Sequence, residues 1–412
     1  MSVSIEGAGQ VLRPPADGLP FLRHDRAGEL SAEPGAVAVD GGRIAGFEPD
    51  PTADQRVDAA GCAVIPGFVD CHTHLPFAGW RAEEYELKVT GVAYEEIAKA
   101  GGGIRASARA LAHAADGEVV TQAQGLAAEM LAHGTTTFEC KSGYGLSVDA
   151  ELRALALAER LGAAVAQETT ITALLAHAVP DGHDADGWMD EVAEMVPEVV
   201  RTTSAGALDL YVESIGFTNE HLRRMGRLAA AHGLDLRAHV EQFHANRSVP
   251  VALAAQARSV DHLSCLHPDD VGPLAAANCA AVLLPGPELM GAEQTPPARD
   301  LADAGAICVL ATDANPGTSP IVSMPLIIGL AVRRYGWSVR EALLAATLNA
   351  AWVLRRSADA GSLEVGKRAD VLVLDAPLEH VPYRIGHNPV AIALVDGEPA
   401  WVRGDAAWRM SR

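Results

Sequence analysis

The feature that most limits the fold of this chain is a regular alternation of short apolar runs with helical segments through the middle of the sequence. Strands and helices that alternate in this way indicate parallel βα units. If the apolar run from residue 62 is the first strand, there are eight, and an α/β fold of the (β/α)8 TIM-like barrel type accommodates them. The other seven predicted strands are 135–139, 169–173, 208–212, 236–240, 259–263, 280–284 and 307–312.

The helical segments between these runs carry recognisable end signals. Residues 147–161 are rich in alanine and leucine, with Ser147 as the predicted N-cap and Gly162 as the stop. Ser338 and Glu341 have the spacing of a capping box in front of an apolar stretch, which predicts one long helix there. In a barrel of this kind, we expect the active site at the C-terminal ends of the strands.

The two ends of the chain have a different texture from the middle. Residues 36–47 contain two short strand-like runs around Asp40-Gly41-Gly42, which is the signature of a β-hairpin. Strand-like runs return near the C-terminus. We therefore expect residues 1–60 and 361–412 to form one small β-sandwich, and residues 61–360 to form the barrel.

The charge balance excludes two classes of partner. The chain has a formal net charge of −21, whereas nucleic acids and anionic membranes require a basic surface. No run of about 18 apolar residues is present to span a bilayer, and the N-terminus lacks the pattern of a secretion signal. Six scattered cysteines without Cys-x-x-Cys spacing predict reduced thiols in a cytoplasmic protein.

Two histidines follow the first predicted strand. His72 and His74 are separated by one residue, and on an extended backbone residues i and i+2 point to the same face. A bare His-x-His pair is also compatible with two partly buried, hydrogen-bonded side chains. The preceding strand, Gly67 and Asp70 favour half of a metal site instead, because imidazole is the commonest nitrogen ligand for zinc and similar ions.

Further polar residues stand where other predicted strands end, namely His239, His262 and Asp313. With the His-x-His pair, His239 and Asp313 make three imidazoles and one carboxylate, a set that leaves room on a divalent ion for a water molecule. Such an ion lowers the pKa of its water to about 7, and Asp313 would accept the proton. His262 fits a second base or a group that polarises the attacked carbonyl, although a structural role is equally open for it.

Other side chains are candidates for the walls of a substrate pocket. Arg81 follows the histidine pair, and its guanidinium fork would bind a substrate carboxylate in bidentate fashion; a surface ion pair with Glu83 or Glu84 is the alternative. Lys141 ends a strand, but its loop context argues against a lysine that bridges two ions, so we expect one metal. Tyr144 offers a hydroxyl or simply packs at the rim. Further candidates are His177, which could hydrogen-bond a substrate carbonyl, and the loop residues Asn315, Gly317 and Thr318.

Together these segments resemble the amidohydrolase superfamily and, more narrowly, the imidazolonepropionase family of histidine degradation. The His-x-His segment and the Gly-x-Leu-x-x-Gly pattern mark only the superfamily, whereas 100–104 and 141–146 are more specific. The resemblance covers nearly the whole chain. Its matching segments are 66–74, 100–104, 134–137, 141–146, 176–180, 261–263, 284–286, 311–317 and 361–370.

The resemblance implies hydrolysis of the cyclic amide of 4-imidazolone-5-propanoate to N-formimidoyl-L-glutamate by a homodimer. It implies one zinc or iron ion on His72, His74, His239 and Asp313, with His262 assisting the attacking water. The implied substrate contacts, with Arg81 on the carboxylate of this small molecule, are Arg81, Tyr144, His177, Asn315, Gly317 and Thr318.

Three departures from the family pattern leave alternatives open. Gln242 stands where one branch of the family has glutamate; an amide can orient the substrate ring but cannot act as a general base. Segment 243–249 lacks a glycine-rich turn, and segment 287–294 lacks aromatic residues. A related amidohydrolase acting on another small cyclic amide, a heterocycle deaminase, and a catalytically silent scaffold are the alternative functions.

Overall fold

The strands of the protein form two separate sheets in a computed structural model, which describes residues 1–92, 94–213, 216–292 and 294–411. Over these residues the strands are β1 (Val3–Arg13), β2 (Ser31–Asp40), β3 (Arg43–Gly46), β4 (Gln55–Asp58), β5 (Ala63–Pro66), β6 (Phe68–Asp70), β7 (Thr135–Lys141), β8 (Glu168–Ala176), β9 (Ala207–Val212), β10 (Asp235–Val240), β11 (Ser259–His262), β12 (Ala280–Leu283), β13 (Ile307–Leu310), β14 (Val371–Leu374), β15 (Val390–Val395), β16 (Glu398–Val402) and β17 (Met410–Ser411).

Most of the helices lie between strands β6 to β13, which form one of the two sheets. Over the same residues the α-helices are α1 (Ala82–Val89), α2 (Tyr94–Lys99), α3 (Ile104–His113), α4 (Asp116–Ala132), α5 (Val148–Gly162), α6 (Ala185–Thr202), α7 (Asn219–His232), α8 (Val249–Ala254), α9 (Val271–Ala276), α10 (Pro285–Leu289), α11 (Ala298–Asp303), α12 (Met324–Tyr335), α13 (Val339–Ala345), α14 (Leu348–Val353) and α15 (His380–Tyr383). Short 3₁₀ helices span His24–Glu29, Pro268–Asp270 and Gly404–Arg409.

Strands β6 to β13 pair in chain order, and all of these pairs are parallel. The first and last strands meet at their C-terminal ends, where the Asp313 amide donates to the His72 carbonyl (3.0 Å) and the His74 amide to the Ala314 carbonyl (2.9 Å). The predicted (β/α)8 barrel is therefore confirmed. Its closure brings the segments after β6 and β13 together, although about 240 residues separate them.

The apolar run from residue 62 does not form the first barrel strand, contrary to the prediction. Its residues Ala63–Pro66 are β5, which lies between β1 and β14 of the terminal sheet, and the barrel begins only with β6. The change of sheet occurs at Gly67, because the Gly67 amide donates to the Asp370 carbonyl and the next amide to the Gly134 carbonyl (both 2.9 Å). A Cβ on Gly67 would lie 2.0 Å from the Thr136 hydroxyl oxygen.

Both chain ends build the other sheet, as predicted. Its strand order is β16-β15-β14-β5-β1-β2-β3, with β4 on β1 and β17 on β4. Strand β1 pairs with β4 through residues 3–6 and with β5 through residues 10 and 11, and its pairing with β2 shifts register after Ile5. Gly7, with a φ of +69°, lies at this shift. This sheet has a hydrophobic core of its own that contains Val3, Ile5, Val37, Val371 and Ile392. The exact division into 1–60 with 361–412, against 61–360, stays a prediction.

The helix ends follow the predicted signals, with one exception. Ser147 caps α5 by accepting from the Ala150 amide (3.3 Å), and Ser338 and Glu341 form the capping box of α13. The single long helix predicted after Ser338 is wrong, because α13 ends at Ala345 and α14 begins three residues later. The carbonyl of Ala346 accepts from the Val69 amide of β6 (2.9 Å) instead of continuing the helix.

Among the described residues, no helix is long and apolar enough to cross a bilayer. The six cysteines have no disulfide partner in this structure, and Cys71 is buried beside Val69 in the packing between β6 and its neighbours.

Candidate active site

The candidate site lies at the C-terminal end of the barrel, in a cavity with about 390 Å³ of empty space including its open mouth. His74, His239, His262 and Asp313 line this cavity, and all four are more than nine-tenths buried. Each stands at or just after the end of a barrel strand, as predicted. The cavity therefore collects the polar side chains that the strand ends carry.

Two overlapping sets of three side chains bring ligand atoms within 4.8 Å of one another: His72, His74 and Asp313, and His72, His239 and His262. Asp313 Oδ1 lies 3.4 Å from His72 Nε2 and 3.2 Å from His74 Nε2. The Nε2 atoms of His72 and His239 are buried without a hydrogen bond among the described residues. Because buried polar atoms are normally paired, these unpaired nitrogens fit a divalent cation.

In two of these rings the other nitrogen, Nδ1, contacts a buried carboxylate. His72 Nδ1 lies 2.6 Å from Asp261 Oδ2, and His239 Nδ1 lies 3.1 Å from Asp209 Oδ1. An ionised carboxylate can only accept, so each Nδ1 carries a proton, and in the neutral ring each Nε2 has a free lone pair for an ion. Burial alone would raise the pKa of Asp261, but the Arg237 guanidinium and His72 hold it well below its usual range.

The backbone at the strand ends is strained where it presents these side chains. His262 has a φ of +81° and Asp313 a φ of +54°, in the left-handed region that residues other than glycine rarely adopt. Leu263 and Glu241 also have positive φ values, 62° and 55°. Such residues persist only where the surroundings over-determine them, and they cluster at functional sites.

The two proposed acid–base groups differ in charge. Burial alone would raise the pKa of Asp313, but the adjacent His72 and His74 imidazoles hold that pKa well below its ordinary value. Burial lowers the pKa of His262 to about 3, against an opposing effect of Asp313. At neutral pH the cavity therefore contains an ionised Asp313 beside a neutral His262.

Arg81 lines the cavity and is paired with Glu84, the ion pair named as the alternative, while its contact with a substrate carboxylate stays a prediction. Its Nε donates to Glu84 Oε2 (3.1 Å) and its Nη1 to Ser107 Oγ (2.6 Å). Gly317 does not line the cavity but lies against the guanidinium, where a Cβ would be 1.8 Å from Nη2. Because Nε is occupied, the predicted fork is reduced to the edge between Nη1 and Nη2.

The remaining candidates lie around the same cavity. His177 stacks on His74, with ring centroids 5.2 Å apart. Its Nδ1 lies 3.0 Å from the Gly143 carbonyl oxygen, which only accepts, so in the neutral ring Nε2 is an acceptor. This tautomer differs from the expectation that His177 donates to a substrate carbonyl. The predicted residues that line the cavity with Arg81 are Tyr144, His177, Gln242, Asn315 and Thr318.

Several residues of the site were not predicted. Ile104, Tyr211 and Phe243 complete the lining of the cavity. Tyr211 had a signal in the sequence, because it lies two residues after Asp209 on the same face of a strand. The unpredicted charged residues beneath the site had a similar signal, since each is a charged residue within a predicted barrel strand; they are Glu139, Asp209, Arg237 and Asp261.

The two segments that depart from the family pattern are both at the cavity side of the barrel. In segment 243–249, the Phe243 and His244 amides donate to Glu213 Oε1 at 2.8 and 3.1 Å. Glu241 faces away from the cavity and accepts from the Ser248 amide (2.6 Å). Segment 287–294 follows the start of α10, and its residue 293 lies outside the described part of the chain.

Comparison with known proteins identifies the family of the chain. Residues 63–402 match the profile of the Amidohydrolase family, and the chain belongs to that family. An adenosine deaminase structure from Xanthomonas campestris with bound zinc has the same fold (TM-score 0.67, 19% identity, 97% of this chain and 93% of that chain covered).

Closer relatives narrow the assignment. The imidazolonepropionase of Rubrobacter xylanophilus is 41% identical over 389 residues, which cover 91% of this chain and 93% of that protein. The imidazolonepropionase of Deinococcus radiodurans is 42% identical over 369 residues, with 89% and 92% covered. Within the Amidohydrolase family, the chain thus belongs with the imidazolonepropionases.

Proposed function

We propose that this chain hydrolyses the cyclic amide of 4-imidazolone-5-propanoate to N-formimidoyl-L-glutamate, as a metal-dependent hydrolase of histidine degradation. The observation that carries the proposal is one cavity that has unpaired imidazole nitrogens and an ionised Asp313 at its base and the Arg81 guanidinium on its wall. A small cyclic amide with a carboxylate side chain matches both features. The names of the relatives support the same reaction.

We propose that one zinc or iron ion is held by His72, His74, His239 and Asp313. An ion of this kind supplies Lewis acidity at the scissile carbonyl and lowers the pKa of a bound water to about 7. Imidazole and carboxylate ligands suit both metals. Lys141 donates to Asp209 (2.7 Å), which supports a single ion rather than a pair bridged by a modified lysine.

The substrate carboxylate binds to the Nη1–Nη2 edge of Arg81. Glu84 and Ser107 hold the guanidinium in place, and the bare backbone of Gly317 gives it room. Gln242 orients the ring through its amide, because it has no proton-accepting carboxylate. Tyr144, Asn315 and Thr318 line the same space.

Asp313 accepts a proton from the attacking water as the water oxygen bonds to the carbonyl carbon. The carbon–nitrogen bond of the ring then breaks, and the departing nitrogen takes the proton that Asp313 holds. His262 is a neutral imidazole beside Asp313 and orients the water by hydrogen bonding. Water is consumed once, and no other reactant is required.

The test is a spectrophotometric assay of the purified, metal-loaded chain with freshly prepared 4-imidazolone-5-propanoate. We expect loss of the imidazolone absorbance, abolished by a chelator and restored by added zinc or iron. The Asp313→Ala variant is the inactive control. Absence of turnover by the metal-loaded chain would refute the proposed function.

We further propose that the chain acts as a homodimer in the cytoplasm, on the basis of the family resemblance. Sedimentation analysis of the purified chain tests the first part, and a mass of one chain would contradict it. Cell fractionation tests the second.

A further inference from the structure

We infer that a buried network of charged side chains beneath the proposed ion positions two of its imidazole ligands together and controls how tightly the ion is held. The inference rests on the metal site of the proposed function and not on the identity of the substrate. In order of contact, the network runs through His72, Asp261, Arg237, Glu139, Lys141, Asp209 and His239.

One end of the network holds His72. Asp261 accepts from His72 Nδ1 (2.6 Å) and from Arg237 Nη2 (2.8 Å) through the same oxygen, Oδ2. Its other oxygen accepts from the Ser259 hydroxyl (2.6 Å), and Arg237 Nε donates to that hydroxyl oxygen (2.9 Å). Asp261 therefore has no freedom to rotate away from the imidazole.

The other end holds His239 in the same manner. Asp209 Oδ1 lies 3.1 Å from His239 Nδ1, and Asp209 Oδ2 accepts from Lys141 Nζ (2.7 Å). The same ammonium lies 3.0 Å from Glu139 Oε2. Lys141 thus links the carboxylate under His239 to Glu139.

Glu139 joins the two ends. Its Oε1 accepts from Arg237 Nη1 and from the Thr172 hydroxyl, and its Oε2 faces Lys141. Among the described residues, the Glu139 carboxylate has its hydrogen bonds and ion pairs with Thr172, Arg237 and Lys141 and with none of the histidines or aspartates of the network, and it is completely buried. Its position between both cations is the reason to treat the contacts as one network and not as two separate pairs.

The network has a consequence for the ion. Three carboxylates stand against two cations, so the buried group has one excess negative charge directly below the ring nitrogens. Without Glu139, Arg237 and Lys141 would each have a single carboxylate left, and each would draw that carboxylate away from its histidine. Both imidazoles would then be held less firmly, although neither would lose a direct contact.

The test compares Glu139→Gln with Asp370→Asn. Asp370 is also a buried carboxylate paired with an arginine, Arg368, but it lies next to the terminal sheet, away from the site. Each purified protein is stripped of metal and titrated with zinc in competition with a chelator. Cobalt-loaded samples are examined by visible absorption, and thermal unfolding is measured without metal.

We expect Glu139→Gln to bind zinc about 10- to 100-fold more weakly and to alter the cobalt spectrum. Asp370→Asn should keep the parental zinc affinity and spectrum even where its unfolding temperature falls. Parental zinc affinity and an unchanged cobalt spectrum in folded Glu139→Gln would overturn the inference.

Thr172→Val serves as a second variant in case Glu139→Gln does not fold. It removes one hydrogen bond to Glu139 and keeps every charge of the network. A smaller loss of zinc affinity in the same direction is expected, and parental affinity would overturn the inference. A parent that binds zinc but does not turn over imidazolonepropanoate would refute only the proposed function, whereas a parent that binds neither zinc nor iron would refute both.

Discussion

Replacing Gly317 by alanine should weaken substrate binding without unfolding the protein. A Cβ at this position would lie 1.8 Å from Arg81 Nη2 and 2.2 Å from Arg81 Cζ, far inside van der Waals contact. Gly317 does not have a positive φ, so alanine fits its backbone conformation without strain. The atoms in the way are at the end of a flexible side chain, and the guanidinium will move before the backbone does.

The magnitude follows from what the guanidinium would lose. A hydrogen bond to a charged group contributes about 1.5–3 kcal/mol. A displaced Arg81 should therefore lower kcat/KM by about 10- to 150-fold, since each 1.36 kcal/mol is a factor of ten. The loss should be mainly in KM, because the carboxylate is bound in the ground state and the transition state alike.

The assay is steady-state hydrolysis of 4-imidazolone-5-propanoate, with thermal unfolding as a check on the fold. Gly404→Ala is the matched control, since a Cβ there meets no atom within 4 Å. In the Arg81→Met background, Gly317→Ala should have no further effect on KM, because the group it displaces is already gone. A parental KM for Gly317→Ala in the otherwise unchanged chain would refute the assigned role of Arg81.

Three other changes have defined outcomes. Asp313→Ala should abolish turnover in the assay above, because Asp313 is the one carboxylate among the described residues that line the cavity; retained activity would contradict the assignment. Burial raises the pKa of Glu288 to about 7 from 4.5, so the folded state prefers its protonated form and stability present below pH 4.5 is lost as the pH rises to 7. The unfolding free energy, measured with urea, should fall by about 3 kcal/mol less between pH 5 and pH 8 in Glu288→Gln than in the parent. The same pH dependence in both proteins would contradict the raised pKa of Glu288. Gly67→Ala should lower the unfolding free energy by about 1–3 kcal/mol through its clash with Thr136, and Thr136→Ala should restore part of it; a neutral result would show that the two sheets can separate at this point.

Local patterns were sufficient for much of the fold. Seven of the eight barrel strands lie where the apolar runs predicted them, and the caps at Ser147 and Ser338 are present. These features depend on which residues are apolar over a few positions and on side chains that bond their own helix end. Such information is contained in neighbouring residues, so it can be found without the rest of the chain.

The failures share one physical cause. β5 joins the terminal sheet, and the predicted long helix breaks at Ala346, because each bonds to a strand that is distant in the sequence. Periodicity shows which face of a segment is buried but not which segment covers it. Which segments pack against each other is determined only when the barrel closes.

The candidate site divides in the same way. The sequence by itself was enough to predict the ligand-type residues at the strand ends, because His-x-His spacing and strand termination are local properties. Only the tertiary structure decided that Glu139 and Arg237, 98 residues apart, meet in the barrel interior, and that Arg81 has one edge of its guanidinium left for a substrate. A buried charge is stable only beside its partner, and the partner is chosen by the path of the whole chain.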